Sequence, residues 1–518
     1  MMKDLFKLCG VAFFTTFATF ATFATFATFA TFATLAILLS APTQAQPYDI
    51  AINNGRVIDP ETQLDAIRHV GVRDGKIAAI SEQPLDAETV IDASDYVVAP
   101  GFIDIHTHTP TPLGQRLNVL DGVTTQLDTE AGAYPVIQFG SAVREQPLIN
   151  YGASVGHFAA RIQVIEGGDL PYFFEGSRVI TMGTPAWELR ATDEQLAAIK
   201  VKLEKGLTTG GLGIGVLLDY MKDGVDNREL AMIFDVAAHY NAPVFVHVRR
   251  GMPGDPSGLD EALALAIKTG APLFVCHITH NAMGGIGQWL AKIDAARAQG
   301  AKVATETLSY LAGGTSISAD VFRKRDWQSV FDISYEDVQW TATGEWLTKE
   351  SWDYYAQSEP HGAVNHHYLK EAWLKTALEW PDMMISTDAM PAFTTQQLSN
   401  PNIAGTFSMV LGEYVREKGY LSLSDSLSRM SLKQAQWLEG VAPVFQQKGR
   451  LQLGKDADIV VFNAHTVKAQ ATYGDPYAQP VGIDWVLING EVVVDNGKLR
   501  DDVMAGRHLM GAARKVAE

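Results

Sequence analysis

Cysteine is nearly absent: the 518 residues include two, Cys9 and Cys276. Cys9 falls within an apolar N-terminal stretch, so Cys276 would stand alone in a processed chain. A lone thiol excludes an intrachain disulfide and leaves the fold to core packing. Basic residues are also in deficit, with 41 Lys and Arg against 59 Asp and Glu, a formal net charge of −18. No Lys/Arg cluster offers a phosphate-binding face, which argues against a nucleic-acid partner and for a small molecule. Hydrophobic residues are plentiful at 47%, so the chain can bury one large catalytic domain and a smaller companion.

Lys3 and Lys7 precede a repetitive Ala-Thr-Phe stretch that runs to Leu39, the pattern of an export signal. Cleavage is expected after Ala45, which places the mature protein in the periplasm or outside the cell with no stable membrane association. The loss of Lys3, Asp4 and Lys7 would take the net charge from −18 to −18 − 1 = −19. The stretch is also long enough to span a bilayer, and retention as an anchor is the alternative.

From Tyr48 to about Val98 the chain alternates in short runs broken by Asn53-Asn54-Gly55 and Arg73-Asp74-Gly75. Asn-Gly and Asp-Gly tolerate positive φ, so both read as hairpin turns. The same grammar returns at Asp458–Phe462 and around Asn489-Gly490. Neither end holds enough strands for its own core, so residues 46–98 and 441–518 are expected to form one discontinuous β-sandwich. Between them, residues 99–440 alternate apolar runs with amphipathic helices over 192–207, 227–240, 259–269 and 284–299, the signature of a parallel sheet. One interruption, about 308–380, carries six of the ten tryptophans. An insertion there either covers a site at the strand ends or packs as a subdomain away from substrate.

Metal-competent side chains recur where strands should end: Phe102-Ile103-Asp104-Ile105-His106-Thr107-His108, Val244-Phe245-Val246-His247, Leu273-Phe274-Val275-Cys276-His277 and Met384-Ile385-Ser386-Thr387-Asp388. Taken singly, each His is more often a hydrogen-bonded core residue than a ligand, and Asp388 could cap a helix. In a barrel, however, the C-terminal strand ends open into one mouth, so these four segments would converge.

These blocks, with Asp121-Gly122-Val123-Thr124-Thr125, His247-Val248-Arg249, Thr387-Asp388-Ala389-Met390-Pro391 and Gly449-Arg450-Leu451 followed by Asp456-Ala457-Asp458, resemble the amidohydrolase superfamily, in its D-aminoacylase or N-acyl-D-amino-acid deacylase branch, notably the D-glutamate deacylase-like members. The resemblance implies a (β/α)8 TIM barrel holding one or two divalent metal ions, zinc foremost. His106 and His108 would serve one metal position, His247 and His277 the other, and Asp388 would be the catalytic carboxylate. Many superfamily members bridge the two positions with a carboxylated lysine on strand four, but Gly210–Val216 has no lysine. D-aminoacylases place a cysteine after strand two, where this chain reads Gln126-Leu127-Asp128-Thr129-Glu130-Ala131-Gly132. Glu130 is therefore the expected bridge, with Asp128 the competing choice.

The implied reaction is hydrolysis of an N-acyl-D-amino acid, N-acyl-D-glutamate among the candidates, with Asp388 as general base and acid. A substrate carboxylate needs a cation, for which Arg249 is the first choice; Arg250 and Lys222 could extend the cationic surface, and Tyr310 could orient the substrate. His280 is read as a neighbour in the loop, and His366-His367 as surface or lid. Cyclic-amidase or dipeptidase activity is the nearest rival, and a non-catalytic periplasmic binding protein the rival from another class. Homo-oligomerisation is left open.

Overall fold

The computed structural model describes residues 48–513 apart from 176–177 and 180–181; the expected signal segment, residues 1–45, lies outside the described residues. Among the described residues no helix is long and apolar enough to cross a membrane.

The two ends of the chain share one nine-stranded sheet. Its joint is the strand Val97–Pro100, which runs parallel to Tyr48–Asp59 on one side and antiparallel to Ile459–Phe462 on the other. Alternation predicts this, because Ile52, Val57, Val98, Ile459, Val461 and Leu487 all face one apolar cluster. Arg73-Asp74-Gly75 turns between Leu64–Arg73 and Lys76–Ser81 as expected. Asn53-Asn54-Gly55 does not turn the chain: the strand Tyr48–Asp59 passes through it with a register irregularity, Asn54 taking φ 67°. The positive φ that Asn tolerates is spent on a bulge in a continuing strand.

Eight parallel strands follow in consecutive order: β1 Phe102–Asp104, β2 Val123–Ala133, β3 Asn150–Gly156, β4 Ile214–Leu217, β5 Val244–His247, β6 Leu273–Val275, β7 Val303–Thr307 and β8 Met384–Ile385. Just beyond β1 and β8 the circle is tied by backbone hydrogen bonds, Asp388 N donating to His106 O (2.8 Å) and His108 N to Ala389 O (3.0 Å). These bonds place three candidate ligands side by side. The expected helices appear as Asp193–Thr208, Asn227–His239, Ser257–Thr269 and Ile286–Ala298. Their boundaries follow local chemistry: Thr192 and Gln195 form a reciprocal capping box, Asp226 accepts from Arg228 N and Glu229 N, and Gly270 closes the third helix at φ 76°.

After β7 the insertion builds an antiparallel sheet in the order Gly313–Ser316, Ala363–His366, Val338–Trp340, Glu345–Trp346. Its buried tryptophans extend the barrel's apolar core: Trp327 stacks on Trp352 at 4.8 Å and Trp340 on Tyr355 at 4.1 Å, in one cluster with the barrel strands. Each large aromatic buries about 200 Å2, worth about 5 kcal/mol of transfer free energy, enough to hold a small sheet in place. Gly313, Gly314, Thr315 and His366 of this sheet line the cavity at the barrel mouth, so the insertion covers that mouth. Beyond Lys498–Leu499 the chain returns to the barrel, where Tyr151 N donates to Arg507 O and Leu509 N to Tyr151 O.

Candidate metal centre

His106 and His108 follow β1 with one residue between them, so alternation sends both imidazoles inward. Glu130 projects from β2, His247 ends β5, His277 follows β6 and Asp388 follows β8. All six meet at the barrel mouth. His277 and Asp388 hold positive φ, 35° and 44°. For residues with a Cβ this left-handed geometry costs roughly 1–2 kcal/mol each, and it turns both side chains back over the strand ends.

Glu130 sits between two groups. Its Oε2 lies 3.4 Å from His106 Nε2 and 3.5 Å from His108 Nε2, and Asp388 Oδ1 lies 3.4 and 3.3 Å from the same two nitrogens. A tetrahedral zinc site with arms of about 2.0–2.1 Å has edges of about 3.3–3.4 Å, so these four separations match an ion's coordination shell. His106 Nε2, buried, has no hydrogen-bond partner. Glu130 Oε1 faces the second group, 3.0 Å from His247 Nδ1 and 2.8 Å from His277 Nε2, with the two nitrogens 3.1 Å apart. The first group is spaced for an ion, the second at hydrogen-bond distance, and one carboxylate serves both. The donor set, imidazole and carboxylate, suits zinc and other divalent ions.

Further carboxylates orient the candidate ligands. Asp128 Oδ2 lies 2.8 Å from His108 Nδ1, and Glu306 Oε1 lies 2.9 Å from His106 Nδ1. An ionised carboxylate can only accept, so each Nδ1 carries a proton and Nε2 is the nitrogen each ring turns to the centre, its lone pair available once a metal displaces any second proton. Asp128 Oδ1 also accepts from Ala131 N and Gly132 N, and Tyr172 donates its hydroxyl to Oδ2. Ser386 donates to Glu306 Oε2, and Asp104 accepts from Thr387 N and Oγ1. Burial pushes Asp104 up to about 7. Burial opposes charge on His106 and His108, but Asp388 and Glu130 beside the first and Asp128 beside the second hold both imidazoles well above their usual range. Asp388 keeps 18% side-chain exposure where the other five candidate ligands keep 0–6%, so it is the most accessible of the six in the cavity.

The cavity over the centre is lined on its far side by Asp219, Tyr220, Arg250, His280, His366 and Tyr368. Arg250 N donates to Asp219 Oδ1 (2.7 Å) and its Nη2 to Asn281 Oδ1 (3.0 Å), while its buried Nε has no partner. Arg249, the expected carboxylate partner, does not line the cavity. Its guanidinium pairs with Glu261 and donates to Val225 O; β5 stops at His247, so strand alternation no longer governs which arginine points inward. Tyr310 is also elsewhere, its hydroxyl donating to Ala471 O (3.0 Å), and Lys222 is exposed. His366, expected at the surface or in a lid, is buried in the cavity wall, whereas His367 is half-buried beside Gln339. His280 joins the wall, and burial next to His277 pushes it down to about 3, so it stays neutral. Sequence reasoning missed Glu306, Asp219, Tyr220 and Tyr368; an acidic residue in the buried run Val303–Thr307 was the available signal for the first.

Residues 97–493 match the profile of the Amidohydrolase family. Among curated proteins the chain is 27% identical to the D-aminoacylase of Alcaligenes xylosoxydans xylosoxydans, over 87% of this chain and 95% of that protein. It is likewise 27% identical to the N-acyl-D-glutamate deacylase of the same organism, over 85% and 93%. Among solved structures it is similar to N-acyl-D-glutamate deacylase from Bordetella bronchiseptica, complexed with zinc and a phosphonate mimic of the tetrahedral intermediate. There the TM-score is 0.74 at 26% identity, covering 90% of this chain and all of that one. A D-aminoacylase structure at 22% identity and TM-score 0.73 shows the same fold.

Proposed function

The chain belongs to the amidohydrolase family, and we propose that it hydrolyses the amide bond of N-acyl-D-amino acids, N-acyl-D-glutamate among them, with one or two zinc ions held by His106, His108, Glu130, His247, His277 and Asp388. The observation that carries this reading is the pair of ligand groups joined by Glu130 beneath a cavity that also holds a guanidinium. Bound there, the metal supplies a Lewis acid that brings a water's pKa toward neutrality and polarises the amide carbonyl.

The protein's own groups do the rest. Asp388, held low by His106 and His108 despite its burial, is ionised at neutral pH and can take a proton from the attacking water. As the new C–O bond forms and the C–N bond breaks, the same carboxyl returns that proton to the departing nitrogen. Arg250, which lines the cavity, offers its guanidinium to the substrate carboxylate, a charge-assisted contact. The insertion sheet walls the cavity, which reduces contact with bulk water and strengthens each of these interactions. The N-terminal stretch supports export of the mature protein.

The test is amine release by the zinc-reconstituted protein from matched N-acetyl-D- and N-acetyl-L-amino acids, glutamate included, beside Asp388→Asn. Turnover of D-substrates that the variant loses while keeping its metal is the expected result. A metal-loaded protein that releases amine from none of them, but opens cyclic amides or cleaves dipeptides, would overturn the reading.

A further inference from the structure

A second cavity, of about 310 Å3, adjoins the metal centre and shares His108 and Phe174 with the cavity above it. Leu170, Tyr172, Phe174, Pro391 and Phe393 form the apolar part of its wall, and Gln138, Ser141 and Asp169 a polar part; the Phe174 ring stands 5.7 Å from that of His108. The guanidinium lies at the other end of the site: Arg250 Nη2 donates to Asn281 Oδ1, and Asn281 Nδ2 is 3.1 Å from His277 Nδ1. Glu130 lies between the two ends. A substrate whose carboxylate meets Arg250 and whose amide lies over Glu130 therefore directs its acyl group toward His108. A third cavity, of about 680 Å3, shares Phe174, Pro391 and Phe393 with the second, but none of the six candidate ligands lines that cavity, so it does not open on the centre where the amide lies.

On the deacylase reading, we propose that the cavity beside His108 receives the acyl chain, that Leu170 and Phe174 set its accepted length, and that the substrates are N-acyl-D-amino acids with acyl groups longer than acetyl. Transfer of an alkyl chain into an apolar pocket raises kcat/KM by about fourfold per methylene until the pocket is full.

The experiment compares N-acetyl, N-butanoyl, N-hexanoyl and N-octanoyl derivatives of the D-amino acid that the N-acetyl panel turns over fastest. It adds Leu170→Asp and, at a position 40% exposed and so tolerant of charge, Phe393→Asp. The readout is the ratio of hexanoyl to acetyl kcat/KM, which a loss of folded enzyme does not move, together with calorimetric binding of both ligands to Asp388→Asn protein. A rising series whose ratio falls about tenfold or more in Leu170→Asp is expected, since the bound alkyl chain then desolvates a charge; a fall in Phe393→Asp alone, at a residue that also lines the third cavity, overturns the placement. Acetyl turnover with a flat chain-length series, or a rising series whose ratio neither variant changes, overturns the acyl cavity and leaves the deacylase reading standing. Absence of turnover across the panel overturns both.

Discussion

Replacing Glu130 by alanine tests the central claim about the metal centre, that one carboxylate serves two positions. Its two oxygens face different partners, Oε2 toward His106 and His108 at 3.4 and 3.5 Å and Oε1 toward His247 and His277 at 3.0 and 2.8 Å. Without it the first position keeps His106, His108 and Asp388, while the second keeps two imidazoles. Protein zinc sites with four ligands bind with roughly 10–16 kcal/mol, so each ligand carries about 3 kcal/mol, or roughly 100-fold in affinity. Glu130→Ala should therefore lose the ion at the second position under dialysis and retain a weakened ion at the first. Metal content by mass spectrometry, competition against a chromophoric chelator and circular dichroism to verify the fold make the measurement. Glu130→Gln, with one carbonyl oxygen in place of the anion, should fall between. Unchanged stoichiometry and affinity in Glu130→Ala would refute the bridging role, and equal weakening of both ions would refute the division into a three-ligand and a two-ligand remainder.

Other consequences follow from the groups behind and above the ligands. Asp128→Asn weakens the acceptor that fixes the His108 tautomer and should lower metal affinity by about 10–100-fold, with wild-type stoichiometry at saturating zinc. Arg250→Lys replaces a fork by a point charge and should raise KM for carboxylate-bearing substrates by about tenfold with less change in kcat, an effect absent for an N-acyl amine lacking the carboxylate. Because neighbouring carboxylates raise His106 and His108 above the usual imidazole range, the metal-free centre carries protons at neutral pH. Zinc must displace them, so apparent affinity should rise with pH by about tenfold per unit for each proton released, until the pH passes the raised values. Calorimetry in buffers of different ionisation enthalpy counts those protons, and none released at pH 7 would contradict the assignment.

Some elements of the site were legible because they obey short-range rules. His106 and His108 face one way because strand alternation requires it, and His247, His277 and Asp388 each end or follow an apolar run that reads as a buried strand in a repeated strand–helix pattern. Alternation could not separate Asp128 from Glu130, since residues two apart share a face. The structure separates them through Asp128 Oδ1, which is occupied by the backbone of Ala131 and Gly132 where β2 loses register. Arg249 and Arg250 were inseparable for the opposite reason: the strand ends at His247, and loop geometry aims each one. The hairpin expected at Asn53-Asn54-Gly55 failed because Asn's tolerance of positive φ serves a bulge as well as a turn.

The sequence by itself determined the parallel barrel, the joining of both chain ends in one β unit and the identity of the residues able to bind a metal, because periodicity, caps and strand-end chemistry act within a few residues. Only the tertiary structure decided which of them meet. Glu306 reaches His106 across 200 residues, Glu130 reaches His277 across 147, and His366 enters the cavity wall on an inserted sheet. Such contacts depend on how the barrel closes and how the insertion packs over it, and neither is encoded in any local window of the chain.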